Sequence, residues 1–405
     1  MTRRLKNRCK MLWNNGNRLV QGTPCTPVFW YALHSGVLML NMEINWKIGV
    51  EIELVAPKGR NRRDLALAIA QQHGGIVRPF FHPQVEPSKV PDQPLFKNLT
   101  QGFEVIDSKG QMIAQCVDDL TLQEDFDKTH PPQPGWYRIV SDEGRLLELV
   151  MQQANPAAPL SEVLTPIAGL FGTEPQSGQG GMVRVADQTG ASIAIAAPIP
   201  GERERPCELI TPPIDSHHLE RVESLLTIAR SLGFTAPREG ATHIHFDAAP
   251  LQSVSVLANL MRLLWVFGSE LRQLVKTNPR CRRLGSWPEK FYELVQSSEL
   301  STKPWEDARQ CLAEFELTKY CDFNLKNLIH QTAAKHTVEV RIFPVWLDGQ
   351  SIIEAAGLFE GLLRWAINSK ENTNIAIPPN LHTLLNELPM STELRQIWQR
   401  RIAIQ

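Results

Sequence analysis

The chain has 405 residues, a formal net charge of −1, 42% hydrophobic residues and 21% charged residues, a balance typical of an ordinary folded protein. The near-zero charge gives no electrostatic footprint for nucleic acid or anionic lipid, so we expect neither as a partner. The 7 cysteines form no C-x-x-C pair, which argues against a zinc cluster or a disulfide framework and indicates a reducing, cytoplasmic compartment.

The segment 1–41 differs from the rest of the chain. Basic residues between Arg3 and Lys10 precede an apolar run at 28–40, as in a signal peptide. However, the run starts late, is too short to span a membrane and precedes no convincing cleavage site. We interpret 1–41 as an appendage and Met42 as the natural start of the domain.

The first predicted strand covers residues 48–54. Apolar residues from Ile48 to Leu54 alternate with Gly49, Glu51 and Glu53, which places both carboxylates on one face, about 7 Å apart. An isolated E-x-E pair is most often simply exposed. Strands are nevertheless poor in Glu, and this pair could hold one divalent ion or a bridged pair, with Mg²⁺ or Mn²⁺ suited to oxygen ligands.

Short elements are predicted between this strand and residue 200. Asn61 is expected to cap a helix that ends near Gln72. The other predictions are a Pro-rich connection at 78–94, a hairpin of strands 103–106 and 112–117, strands at 136–140, 146–150, 182–185 and 192–196, a helix at 157–171, and a Gly/Ser/Gln loop at 172–181 as a candidate lid.

Three later strands repeat the alternation of apolar and ionisable residues. They present Glu208, then His243 and His245, then Glu339 and Arg341, each between apolar neighbours. One antiparallel sheet explains all four strands if its apolar face packs on helices and its polar face forms a site. Helices are predicted to begin after Asp215 or Ser216 and end near 232, to span 252–276, to fill parts of 288–330, and to span 351–368 from a capping box at Ser351.

The segments GVEIE (49–53), ELITPP (208–213), HIH (243–245) and TVEVRIF (337–343) together resemble the amidoligase family. That family belongs to the carboxylate–amine ligase superfamily of glutamine synthetase and glutamate–cysteine ligase. The resemblance extends from about Trp46 to about Asn368. It implies an α+β, glutamine synthetase-like fold, a curved antiparallel sheet with a polar catalytic face, backed by helices. The catalytic domain is expected at 42–371, followed by a tail at 372–405 whose two short helices dock on the outside.

The resemblance also implies an ATP-dependent ligase that forms an amide or peptide bond through an acyl phosphate. ATP and Mg²⁺ or Mn²⁺ are the implied cofactors, and small-molecule or peptide carboxylates and amines are the implied substrates. The implied metal ligands are Glu51, Glu53, Glu208, His243 and Glu339. His245 and Arg341 are expected to contact the nucleotide phosphates, and the catalytic set would be Arg341, Glu339 and Glu51.

Weaker candidates lie in less certain segments. Tyr320 and Asn324 fall in a stretch that resembles the family's basic-aromatic-to-asparagine segment, and they are candidate substrate contacts or core residues. Arg282 and Arg283 could receive a substrate carboxylate or phosphate, although a solvated basic turn is the simpler interpretation. Two choices stay open: Glu202 and Glu204 compete with Glu208, and Asp142 and Asp187 compete for an acidic turn that the family places before ELITPP.

Two other functions are compatible with these residues, a phosphotransferase of the same fold and a nucleotide-binding module without turnover. The intact set of Glu, His and Arg positions favours the ligase. The identities of the carboxylate and the amine, and the oligomeric state, stay open at this point.

Overall fold

The computed structural model describes residues 44–87, 95–331, 335–369 and 376–403. Within these ranges the strands are β1 (Ile48–Val55), β2 (Ile76–Pro87), β3 (Leu95–Ile106), β4 (Met112–Val117), β5 (Tyr137–Val140), β6 (Gln176–Ser177), β7 (Val183–Ala186), β8 (Ser192–Pro198), β9 (Pro206–Ile210), β10 (Ala241–Asp247), β11 (Phe323–Asn324) and β12 (Thr337–Pro344). The helices are α1 (Arg62–Gln72), α2 (Gly144–Gln153), α3 (Thr165–Leu170), α4 (His218–Ser231), α5 (Val254–Leu274), α6 (Glu289–Val295), α7 (Ser298–Ser301), α8 (Trp305–Ala313), α9 (Lys326–Ile329), α10 (Gly349–Asn368), α11 (Leu381–Glu387) and α12 (Thr392–Ala403). The predicted appendage 1–41 and the predicted boundary between 371 and 372 lie outside the described residues.

The described strands form one sheet in which every pair is antiparallel. Its order is β11-β12-β10-β1-β9-β4-β3-β5-β8-β7-β6, and β2 pairs with β3. The strands predicted from alternating ionisable residues, β12, β10, β1 and β9, are therefore consecutive neighbours. The mixed α+β class with a large antiparallel sheet, predicted from the sequence, is confirmed.

One face of the sheet is packed against helices. Val50 and Ile52 of β1, Ile244 of β10 and Val340 of β12 are buried there among apolar side chains of α1, α4, α5 and α10. Burying each large aliphatic side chain is worth about 1.5–3 kcal/mol. A slip of one residue would turn these side chains to the opposite face, so this core fixes the register that places the polar residues.

The α5 helix is strongly apolar along its length. It is long and apolar enough to cross a membrane, but 61% of the apolar window is buried inside the protein. A core helix passes the same test of length and composition.

A second apolar core covers the other end of the sheet. Leu99 of β3, Ile139 of β5 and Val185 of β7 pack there with Leu147 of α2 and Ile167 of α3. The predicted strand at 146–150 is wrong, because Leu147 and Val150, three residues apart, form the buried face of the α2 helix. The predicted helix at 157–171 is shortened to α3, because Pro159 lacks an amide donor and its carbonyl closes a turn before the helix.

The Pro-rich segment at 78–94 was predicted to be a connection, but its first part is the strand β2, which pairs with β3 from Ile76↔Ile106 to Pro87↔Leu95. Pro79, Pro83 and Pro87 recur every four residues. Residues two or four apart in a strand direct their backbone groups to the same side, so these prolines can all face away from β3. Proline is tolerated in a strand in this arrangement.

Helix starts agree with the sequence only in part. Asn61 caps α1, and its side chain accepts hydrogen bonds from the Arg63 and Asp64 amides, as predicted. The α10 helix is capped by Asp348 and not by Ser351, whose amide instead donates to Asp348 Oδ1 at 2.7 Å. At α4 the cap position is His217, with φ of 54° and no side-chain cap, so neither Asp215 nor Ser216 fills that role.

The C-terminal tail forms two helices, α11 and α12, that join the main core. Trp398 of α12 is 0% exposed, and its indole nitrogen donates to the Glu354 carbonyl of α10 at 3.3 Å. Leu384 and Leu385 of α11 are also fully buried. The expectation that the tail docks only on the outside is therefore wrong, since its largest side chain lies in the interior.

Candidate active site

The second face of the sheet carries a buried cluster of ionisable side chains. Strand pairing places Glu51 opposite His243, Glu53 opposite Glu208, and His245 opposite Glu339. An irregularity in the β10–β12 pairing follows Thr242, and Arg341 Nη1 lies 3.5 Å from His243 Nδ1. Glu53, His243, Glu339 and Arg341 are each no more than 5% exposed. This polar face is thus an interior site and not a solvated surface.

Two groups of side chains in the cluster have the geometry to hold a metal ion. The ligand atoms of Glu51, Glu208 and His243 all lie within 4.8 Å of one another, and those of Glu51, His245 and Glu339 do as well. His243 Nδ1 is 3.5 Å from Glu51 Oε2, and His245 Nε2 is 3.2 Å from Glu51 Oε1. Glu51 belongs to both groups, so it could bridge two ions or join them into one site.

A surrounding layer of contacts fixes these ligands. Asn324 of β11 donates from Nδ2 to Glu339 Oε2 at 2.7 Å, and Arg341 Nη1 donates to the other oxygen of Glu339. His245 Nδ1 contacts Thr337 Oγ1 at 3.1 Å, which leaves Nε2 to face Glu51. Such contacts behind a ligand set its orientation and tautomer.

Glu53 has a different environment from the other carboxylates. Arg283 Nη2 donates to both of its oxygens at 2.9 Å, and the Ala241 amide donates to Oε2 at 2.9 Å. Arg283 Nη1 also lies 3.5 Å from Asp119 Oδ2. The pair joins β1 to the loop between α5 and α6, 230 residues away in the chain.

The pKa values show how strongly the carboxylates crowd one another. Burial raises the pKa of Glu208 well above its usual value, and the charges of Glu51, Asp119 and Glu53 raise it further. Burial acts in the same direction on Glu51, but the charge of His245 and hydrogen bonds with both histidines hold the pKa of Glu51 well below its usual value. A cation at this position would stabilise the ionised form of Glu208, so the donor set fits a divalent ion.

His243 is consistent with that fit, whereas for His245 the effect of burial is outweighed by the charges of Glu51 and Glu339, which raise its pKa. Burial and the charge of Arg341 lower the pKa of His243 to about 4, so its imidazole is neutral, as a metal ligand must be. The Nε2 atoms of His243 and His245 make no well-aligned hydrogen bond, but they lie 3.7 Å from Glu53 Oε1 and 3.2 Å from Glu51 Oε1 respectively. Since buried nitrogens normally have a hydrogen-bond partner, both atoms are candidate ligand atoms for a bound ion.

The structure gives the remaining residues predicted from the sequence contacts with other groups or with solvent. Arg282 is exposed, and Asp142 is exposed at the end of β5. Asp187 closes the β7–β8 turn by accepting from the Thr189 and Ala191 amides. Tyr320 is half-buried, with the Lys319 ammonium 5.5 Å from its ring centroid. The 172–181 segment contains β6, which ends the strand order, and its role as a lid stays a prediction.

The register also resolves the open choice around Glu208. Glu202 forms an ion pair with Arg205, whereas Glu208 pairs with Glu53 and faces the cluster. Glu204 precedes β9, and its carbonyl accepts from the Arg62 amide at 3.3 Å.

Two residues of the site were missed in the sequence. Asp119 follows β4 and contacts Arg283, and its Oδ1 accepts from the Thr121 amide at 2.8 Å. This is an acidic D-x-T turn after an apolar strand, a signal that was available in residues 117–121. The second missed residue is Lys335, whose Nζ lies 3.3 Å from Glu51 Oε1. No periodic sequence pattern surrounds Lys335, so no signal pointed to it.

A separate cavity of about 560 Å³ lies between α5 and the loop before α6. Its lining includes Trp265, Arg272, Lys276, Trp287 and Phe323. None of the cluster's carboxylates or histidines lines this cavity. It lies beside the loop that carries Arg283.

Comparison with known proteins identifies a family. The sequence model of a family described as "putative amidoligase enzyme" matches residues 44–363, a range that includes every residue of the cluster. No curated protein matches the chain, and no solved structure matches it.

Proposed function

The chain belongs to the amidoligase family, and from this membership we propose that it is an ATP- and Mg²⁺- or Mn²⁺-dependent carboxylate–amine ligase. Its substrates would be small-molecule or peptide carboxylates and amines, in the cytoplasm, with neither nucleic acid nor membrane as a partner. We also propose that its sheet is of the glutamine synthetase-like class. The main support is the pair of ligand groups that share Glu51 beside Arg341 on one buried face.

The proposed reaction has two steps. A carboxylate oxygen of the first substrate attacks the γ-phosphorus of ATP, which breaks the bond to ADP and gives an acyl phosphate. The amine nitrogen of the second substrate then attacks the acyl carbon, loses a proton and releases phosphate. Phosphoryl transfer depends mainly on positioning and on neutralising charge. Divalent ions held by the Glu51 groups would supply much of that neutralisation when bound.

Arg341 is the residue best placed to assist the phosphoryl group. Its Nη1 is held by Glu339, whose other oxygen is held by Asn324, so the guanidinium plane is fixed in advance. Its Nε is buried without a partner and is available to donate to a phosphoryl oxygen. A fixed guanidinium stabilises developing charge without reorganising during the reaction. Burial excludes water from the same face, which would protect an acyl phosphate from hydrolysis.

The proposal is tested by product balance with hydroxylamine as a generic amine. The protein is incubated with ATP, Mg²⁺ and a panel of amino acids, peptides and cell-wall fragments. A carboxylate-dependent hydroxamate, formed with ADP and phosphate in equal amounts, is expected. A stable phosphorylated product without free phosphate would instead make the protein a phosphotransferase, and ATP binding without ADP release would make it an inactive nucleotide-binding module.

A further inference from the structure

Both oxygens of Glu53 already accept hydrogen bonds in the arrangement observed. Both oxygens accept from Arg283 Nη2 at 2.9 Å, and Oε2 also accepts from the Ala241 amide at 2.9 Å. Glu53 is absent from both groups of ligand atoms that lie within 4.8 Å of one another. The family resemblance made Glu53 a metal ligand, so the contacts and the resemblance disagree.

Arg283 is held in place by its loop. Asn278 Nδ2 donates to the Gly240 carbonyl at 2.8 Å, directly beside Ala241 of β10. On the other side of Arg283, the Gly285 amide donates to Asp322 Oδ1 at 3.0 Å. The Thr277 hydroxyl donates to the Ile342 carbonyl of β12 at 2.6 Å. The loop is thus fastened to β10, β12 and the segment before β11.

The guanidinium also lies between two carboxylates. Besides Glu53, it reaches Asp119 Oδ2 at 3.5 Å, and its side chain is 18% exposed against 1% for Glu53. Glu53 itself stands directly opposite Glu208 in the β1–β9 pairing. Two carboxylates so placed repel each other unless a cation lies nearby, and Arg283 is a cation that contacts Glu53 directly.

We propose that Arg283 is a built-in cation that takes the place of a metal ion at Glu53, so that bound divalent ions are confined to the Glu51 groups. This inference rests on the proposed function for the presence of those ions. It makes Glu53 and Asp119 positioning residues for Arg283. It also predicts that removing the guanidinium exposes two carboxylates able to bind an additional divalent ion.

The test is the number of Mn²⁺ ions bound, measured by electron paramagnetic resonance titration of free Mn²⁺ and by calorimetry. Glu53→Gln should bind as many Mn²⁺ equivalents as wild type, with a Kd within about threefold. Arg283→Met should gain one equivalent. Arg280→Met is the matched control, because it removes a cation from the same loop. Arg280 lies outside the cluster, where its Nη1 is 3.1 Å from Glu124 Oε2. Loss of one equivalent in Glu53→Gln would overturn the inference.

Thermal stability separates this inference from the proposed function. In EDTA, Arg283→Met should melt at a lower temperature than Arg280→Met, because it leaves buried carboxylates unpaired. Added Mn²⁺ should restore its melting temperature more than it raises that of Arg280→Met. If wild type binds no Mn²⁺, the metal dependence of the proposed function is contradicted. A rise in melting temperature with Mn²⁺ that occurs only in Arg283→Met would still support the inference. The absence of any Mn²⁺ response specific to Arg283→Met would refute it.

Discussion

Glu51 is shared by both groups of ligand atoms, so a single replacement acts on the whole site. Glu51→Gln should lower Mn²⁺ affinity on the order of tenfold or more, because each group loses a charged oxygen ligand. Its side chain is 12% exposed on the polar face and lies outside the apolar core, so the fold should be retained. Calorimetric titration measures the first effect and circular dichroism the second.

The matched control is Glu148→Gln, which changes an exposed carboxylate on α2. Equal Mn²⁺ affinity in the two variants would show that Glu51 does not bind the ion. Unfolding of Glu51→Gln would show that its carboxylate supports the core.

Arg341→Lys tests the guanidinium as a group that acts on the phosphoryl centre. Lysine keeps the charge but loses the planar fork, so turnover should fall on the order of 10²-fold while ATP binding changes much less. The measurements are kcat for ADP release and the Kd of ATP. An equal loss in both would assign Arg341 to nucleotide binding alone.

His82 of β2 predicts a pH dependence of stability. Burial lowers its pKa from 6.5 to about 4, with a further contribution from the charge of Lys335. Because the folded pKa lies below the unfolded one, the unfolded chain takes up the proton first, and stability is lost as the pH falls from about 6.5 towards 4. His82→Gln should lose less stability than wild type over this range in urea unfolding. Parallel profiles would contradict the assignment.

The sequence predicted most residues of the cluster because alternation with a period of two needs only local information. Glu51, His243 and Glu339 were placed on one face before any strand order was known. Arg283 could not be assigned to Glu53 in this way, because their contact depends on how a loop 230 residues away is fastened. Asp119 is different, since its D-x-T turn was visible in the sequence, but only Asp142 and Asp187 were considered as acidic turn residues.

At the scale of elements, α10 offers a test of which residue begins the helix. Asp348→Ala should destabilise the protein by about 1 kcal/mol, because it removes the acceptor for an unpaired amide of the first turn. Ser351→Ala is the control, because the sequence predicted Ser351 as the cap. It should be nearly neutral, since the contact with Asp348 uses the Ser351 amide, which the substitution keeps. Urea unfolding of both variants decides between the two starts. A larger loss for Ser351→Ala would favour the original prediction.

Elements were mispredicted where proline or continuous apolar runs obscured the period. The 146–150 run has four apolar residues in five, which suits a buried strand or a helix equally well. Only packing against Ile167 and Leu99 in the second core selects the helix. In the β2 segment, the prolines were interpreted as strand breakers. Their spacing of four residues instead puts their backbone nitrogens on the same side of the strand.

At the scale of the molecule, the α12 helix is predicted to be required for stability. Trp398→Ala should destabilise the protein by about 3–5 kcal/mol, because it leaves a cavity beside α10 in the main core. Gln396→Ala, on the exposed side of the same helix, is the control for helix propensity. Thermal and denaturant unfolding give the comparison. A loss below about 1 kcal/mol in Trp398→Ala would restore the view of the tail as an outer appendage.

The general architecture followed from the sequence, but the strand order did not. Alternation shows which strands have a polar face, whereas neighbours such as β1 and β9 are chosen by contacts between residues more than 150 positions apart, as between Val50 and Thr211. Family resemblance linked the motifs, and the sheet shows why they recur together. They are the inward polar positions of adjacent strands.

The prolines of β2 have a consequence for behaviour in a concentrated solution. A long unpaired edge is a template onto which another chain can add a strand, and such additions lead to fibres and aggregates. Among the described residues β2 pairs only with β3, and Pro79, Pro83 and Pro87 remove half of the amide donors on the alternate positions from 77 to 87, which can face away from β3. The outer edge of β2 is therefore a poor template for a strand of another molecule. We expect this edge of the large sheet to resist aggregation.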